Sequence, residues 1–138
     1  MRKAVRQAAT AVALAAGVVV ALGPSVPVLA QGAWDAPAAE KGKKNPLPDD
    51  KATREMGEKV AKTNCVSCHG AKGKGDGAAA AALNPKPADW TSKKVQAESD
   101  GEIFWKISTG RGAMPSWKFL PENDRWAVVR YIRSLGGK

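Results

Sequence analysis

Cys65-Val66-Ser67-Cys68-His69 holds both cysteines and the one histidine of a 138-residue chain. Two thiols three positions apart fall on one side of a helical turn. From there each can bond one of the two vinyl groups along an edge of a haem. A histidine at the next position then reaches the iron from the face on which the turn sits. The stretch is therefore read as a haem c attachment sequence, with Cys65 and Cys68 as covalent thioethers and His69 as the proximal iron ligand. The ligand nitrogen has to be neutral and held in one orientation, usually by a hydrogen bond from the other ring nitrogen. With every cysteine consumed, no structural disulfide is expected.

Two other uses of these residues compete. A thioredoxin-like C-x-x-C redox pair expects a strand-helix setting and gives the histidine no role. A structural zinc site needs four ligands. This chain offers three, so zinc would need a carboxylate or a second chain.

Upstream, residues 1–30 read as a secretory signal. Arg2, Lys3 and Arg6 make a positive start, Ala8 to Leu22 is an almost unbroken apolar run, and Val28-Leu29-Ala30 is a small-residue cleavage pattern ending before Gln31. The run is short for a membrane span; the alternative is an uncleaved N-terminal anchor, the only case in which this reading gives the chain membrane contact. Export, to the periplasm or another extracytoplasmic space, agrees with the motif, because bacteria attach c-type haem outside the cytoplasm. Cleavage would delete three positive charges and take the formal charge from +9 to +6. The lysines are scattered and no nucleic-acid motif is present, so nucleic acid is not expected as a partner. A moderately basic surface suits docking to an acidic redox protein or is simply a solvated face.

Residues 31–49, rich in Pro, Ala, Gly and Lys, show no helical or strand periodicity and read as a tail or linker. Trp34 stands out there as a residue able to dock on the domain. Residues 50–138 then form one small domain with a limited core of its own, and a buried haem would supply much of the missing apolar volume. The haem-free chain is expected to be largely unfolded; native helical content with cooperative melting in a Cys65→Ala/Cys68→Ala variant would overturn this.

No segment alternates like a strand for long. Three stretches read as helices. The first, about Asp50 to Asn64, has Met56, Val60 and Ala61 on its apolar side and leads into the haem motif. The second opens at Ser99, with Glu102 three positions on as a capping-box signature; Ile103, Phe104 and Ile107 give its buried side and Gly110 ends it. The third starts at Pro121, buries Trp126, Val129 and Ile132 with Val128 and Leu135 beside them, and closes at Gly136-Gly137. Gly70 to Ala97 reads as mostly loop with short helical turns, one of them in 77–83. The Gly-rich run 72–78 reads as a flexible turn rather than a phosphate loop, since no Walker-type Lys-Ser/Thr follows. The fold class is all-α: three main helices and loops wrapped around one covalently attached haem.

Six-coordinate iron needs a ligand on the other face, and no second histidine exists. Met56 sits on the apolar side of the first helix, where core packing explains it. Met114 lies in S-T-G-R-G-A-M-P-S-W, a Gly-rich loop after the second helix. Gly110 and Gly112 allow close backbone approach to a porphyrin and Pro115 stiffens the loop. Met114 is thus the expected distal iron ligand. A thioether is soft and neutral, favours reduced iron and raises the reduction potential. It also fills the coordination site, which suits an electron carrier and disfavours oxygen or peroxide chemistry.

At residues 52–138 the chain resembles the class I cytochrome c family, especially short bacterial monohaem domains. The likeness rests on Gly57 in the first helix, the Cys65-to-Gly70 motif, the Ala113-Met114-Pro115 segment and an aromatic C-terminal helix. It implies that Gly57 lets the first and last helices cross closely, with Tyr131 packed at the crossing and Trp126 nearby. It also implies that a proline carbonyl orients the proximal histidine, leaving Pro85 and Pro87 as alternatives. Trp90, Trp117 and Arg111 become candidates for haem-edge or propionate contacts, with ordinary packing as the competing role. The function implied is single-electron transfer between redox protein partners, by an exported monomeric carrier. The alternatives are an electron-entry subunit of a larger oxidoreductase complex and, further off, a haem peroxidase or gas sensor.

Overall fold

The computed structural model describes residues 33–137; the export signal read over residues 1–30 lies outside them. Six helices follow one another: α1 (Ala38–Lys41), α2 (Lys51–Asn64), α3 (Val66–His69), α4 (Lys93–Ala97), α5 (Asp100–Thr109) and α6 (Glu122–Leu135), with a 3₁₀ turn at Ala80–Ala82 between α3 and α4. No strand occurs among the described residues, apart from one isolated bridge between Arg111 and Met114. None of the described helices is long and apolar enough to cross a membrane.

The three long helices start and stop where their side chains dictate. Asp50 accepts the Thr53 amide at 2.8 Å and opens α2. Ser99 accepts the Glu102 amide at 3.1 Å and opens α5. The Glu102 carboxylate completes no capping box; it pairs with Lys106 at 3.2 Å instead. Pro121 lies one residue outside α6, as its cap rather than its first helical residue.

The frame of the domain is the crossing of α2 and α6. Thr53, Gly57 and Ala61 form the buried face of α2. A Cβ at Gly57 would stand 2.0 Å from the Ala127 carbonyl oxygen, so only glycine permits this approach. Tyr131 is buried in the same region. The core then extends from Ala61 through Ile103, Phe104 and Ile107 of α5 to Trp126, Val128, Val129 and Ile132 of α6. Phe104 and Trp126 stack at 3.8 Å between ring centres.

Two local expectations change. Met56 is 38 % exposed, not core: the buried stripe of α2 runs through Gly57 and leaves Met56 outside it. The stretch 33–49, without periodicity, is nevertheless bound to the helices and contains α1. Arg130 donates from Nη2 and Nε to the Leu47 carbonyl at 2.6 and 3.0 Å, Asn45 Nδ2 donates to the Trp126 carbonyl at 3.0 Å, and the Lys106 ammonium lies 5.6 Å from the Trp34 ring centre. The five-residue α4, capped by Ser92, is one of the short helical turns expected between Gly70 and Ala97.

Candidate functional site

Chain geometry around the Cys65–His69 motif follows from a break in α2. Cys65 still donates its amide to the Ala61 carbonyl at 2.8 Å, but its own φ of −117° and ψ of −21° end the helix. Its carbonyl then accepts the Cys68 and His69 amides at 3.2 and 2.9 Å, which winds α3. The two cysteines form no disulfide with each other, and both are partly buried.

A helical turn of four residues leaves its carbonyls without partners. The Gly-rich run supplies them. Gly75, Gly77 and Ala79 donate their amides to the carbonyls of His69, Cys68 and Ser67 at 2.9, 3.1 and 2.9 Å. The run is therefore a three-rung cap on the motif, rather than a flexible turn. Gly75 has φ +71° and a Cβ there would lie 2.4 Å from the Pro87 carbonyl oxygen; at Gly77 it would meet the Ser67 carbonyl oxygen at 2.4 Å. The glycines are required by the closeness of two backbones.

His69 is buried, and its Nδ1 lies 3.1 Å from the Ala88 carbonyl oxygen. An Nδ1–H donating there leaves Nε2 as the free ring nitrogen. Neither Pro85 nor Pro87 supplies this acceptor; the carbonyl one residue beyond Pro87 does. The imidazole also stacks on Trp90, 4.4 Å between ring centres and 22° between planes. Trp90 is fixed in turn: its amide donates to the Gly73 carbonyl at 2.7 Å, and Gln96 Nε2 bridges the carbonyls of Trp90 and Ile132 at 2.6 and 3.0 Å. Trp90 thus works as a support of the histidine.

Met114 is half-buried and packs on the same hydrophobic cluster as Cys65 and Trp117. Its loop is a tight hairpin: the Arg111 amide donates to the Met114 carbonyl at 2.8 Å and the Met114 amide to the Arg111 carbonyl at 3.0 Å. Gly110, with φ +64°, lets Met114 and Pro115 fold back on it; a Cβ would lie 2.5 Å from their carbonyl oxygens. The close approach that Gly110 makes is therefore to its own loop. Trp117 donates its amide to the Ile107 carbonyl at 3.1 Å, while its ring faces that of Phe119 at 5.5 Å.

The electrostatics separate the possible uses of these groups. Burial, with Cys68 adding to it, pushes the Cys65 thiol up to about 11. A thiol–disulfide exchange site needs the opposite shift. Burial also lowers the pKa of His69, against the opposing pull of the Ala88 hydrogen bond. The imidazole is then neutral near pH 7, as an iron ligand has to be. Among the described residues no three of His, Cys, Asp and Glu come together to hold a metal ion. A zinc site completed by a carboxylate therefore finds no support among the described residues. Two thiols on one turn, a neutral imidazole with one nitrogen tied back, and a thioether on the same apolar cluster do fit haem c.

The family described as cytochrome c oxidase, cbb3-type, subunit III matches residues 52–132. The cbb3-type cytochrome c oxidase subunit CcoP of Rhodobacter capsulatus is 35% identical over 99 residues, covering 65% of this chain and 32% of that protein. The subunit FixP of Bradyrhizobium diazoefficiens is 36% identical over 83 residues, covering 59% and 27%. The chain thus spans about a third or less of these curated relatives. Among solved structures, a chain of the Kuenenia stuttgartiensis reducing HAO-like protein complex Kustc0457/Kustc0458 superposes with a TM-score of 0.58 at 32% identity, covering 65% of this chain and 46% of that one. With the family match spanning the crossing helices, the thiol pair, the supported histidine and the methionine hairpin, the chain belongs to the cbb3-type subunit III family and is a class I c-type cytochrome domain carrying covalently bound haem c with its iron.

Proposed function

We propose that this domain transfers single electrons between protein partners, with Cys65 and Cys68 forming the thioethers, His69 as proximal ligand and Met114 as distal ligand. The observation that carries the reading is the tethered imidazole: Nδ1 tied to Ala88 and the ring stacked on Trp90 leave Nε2 for a metal, one residue from Cys68 and one turn from Cys65. When bound, haem c supplies the Fe(III)/Fe(II) couple. The chain's own residues fix the imidazole, keep it neutral, and present a thioether from a two-rung hairpin. Two protein ligands would close the iron to peroxide or gases, which sets the carrier reading above a peroxidase or sensor.

The relatives named as oxidase subunits favour a second form of the same function, in which the domain hands electrons on inside a lasting complex. We further infer that residues 1–30 direct export, so that the domain works in the periplasm; mass spectrometry of the mature N-terminus tests this, with Gln31 expected first.

A spectroelectrochemical titration of the periplasmically matured protein tests the ligand set. Met114→Ala should keep the haem attached, lose the near-infrared methionine–iron band and lower the potential by on the order of 0.1 V, within the roughly 0.8 V that axial ligands command. Survival of the band would eliminate Met114. Co-purification of an oxidase with the untagged chain would decide for the complex over the free carrier.

A further inference from the structure

Arg125 is a buried cation for which the electron-transfer reading has no use. Among the described residues its partners are all neutral. Nη1 donates to the Ser108 hydroxyl, Nε donates to the Leu120 carbonyl at 3.2 Å, and the guanidinium lies 4.8 Å from the Phe104 ring centre. It stands in the first turn of α6, where the helix dipole disfavours a positive charge. No carboxylate of the described residues pairs with it, so an ion pair within the domain does not account for its burial. The position of its two acceptors accounts for it.

Ser108 lies in the last turn of α5, just before the Met114 loop, and Leu120 lies at the end of that loop. One guanidinium fork therefore grips both ends. The α5 terminus holds the middle as well: the Ser116 hydroxyl donates to the Ser108 carbonyl at 2.6 Å, and the Trp117 amide donates to the Ile107 carbonyl. Ser108 relays the grip into the helix, its hydroxyl donating to the Phe104 carbonyl at 2.8 Å. The carbonyl end of α5 is the negative end of its dipole, a favourable place for the cation.

We propose that Arg125 is the positioning residue of the methionine loop: by bridging Ser108 and Leu120 it holds Met114 on the iron side and keeps external ligands out. This rests on the reading of Met114 as distal ligand. The experiment compares haem-loaded wild type with Arg125→Met, which removes charge and fork, and Arg125→Lys, which keeps the charge alone. In Arg125→Met the methionine–iron band should weaken, and cyanide should bind the ferric protein about tenfold more tightly as the open loop becomes more populated; Arg125→Lys should fall between. An unchanged band and cyanide affinity in Arg125→Met, whatever its melting temperature, would overturn the proposal. Should Arg125→Met not fold, the same two readouts on Arg125→Lys decide it. A wild type without the methionine band would sink the Met114 reading by itself. The clamp would then be judged by hydrogen exchange of the Met114 and Trp117 amides, about tenfold faster in the variant if it exists and unchanged if it does not.

Discussion

The proximal turn and the methionine loop, the two sides of the proposed ligand set, are held in different ways. Residues 65–79 are closed by their own backbone, with three rungs linking the glycine run to Ser67, Cys68 and His69. Residues 110–120 have a two-rung hairpin and one turn of their own, the Leu120 amide donating to the Trp117 carbonyl at 3.0 Å, and between these they hang from α5 and α6 through Ser108, Ile107 and Arg125. Local closure makes the first a pre-formed support, whereas the second takes its shape from packing elsewhere. Exchange of a ligand, when it occurs, should therefore start at the methionine.

Removing the frame should erase the contrast. Gly57→Val drives a side chain into the Ala127 carbonyl and should cost at least about 3 kcal/mol, read by denaturant unfolding of the haem-loaded protein. A cost below about 1 kcal/mol would mean that the crossing can spread at little expense. Gly77→Ala attacks the proximal cap alone. Its methyl meets the Ser67 carbonyl, and stability should fall by about 2 kcal/mol, with faster exchange of the Gly75 and Ala79 amides and little change at Met114. Ser116→Ala is the matching cut on the other side. It removes two hydrogen bonds at an exposed residue, one to the Ser108 carbonyl and a longer one from the Lys118 amide, and should cost about 1 kcal/mol, with faster exchange at Trp117 and no change at Gly75. If these two exchange patterns overlapped, the two regions would be one cooperative unit.

The smallest effect concerns the entry to α2. The Thr53 amide and hydroxyl hold the Asp50 carboxyl below its usual range. Its contribution to the helix is full above the ordinary carboxylate pKa and is lost as pH falls through its own lower value. Exchange at Thr53 should quicken there, well before either side of the haem site responds.

Sequence alone carries much of this. The motif, the Ser99 cap and the buried line of α6 are each set by residue types whose geometry is local or nearly so, whereas the crossing at Gly57 was legible only through the resemblance to the cytochrome c family. Met56 was misplaced because a stripe on a short amphipathic helix is ambiguous by one position, and the Gly57 contact decides it. Nothing in Pro85 or Pro87 tells which carbonyl faces His69, since that depends on chain direction after Pro87. The five residues of α4 are too few to show a period, although Ser92 is its cap. Arg125 carried no signal of its own: its partners are 5 and 17 positions away and one is a backbone oxygen.

The grip of Arg130 on Asn45 and Leu47 bears on where the domain can be cut. A shortened protein starting at Lys51 would keep every haem-site residue yet leave the guanidinium without three carbonyl bonds, and Trp126 without its contact from Asn45. It would also uncover the side of α5 on which Glu40 and Lys43 press against Gly101. The smallest piece worth expressing begins ahead of Trp34.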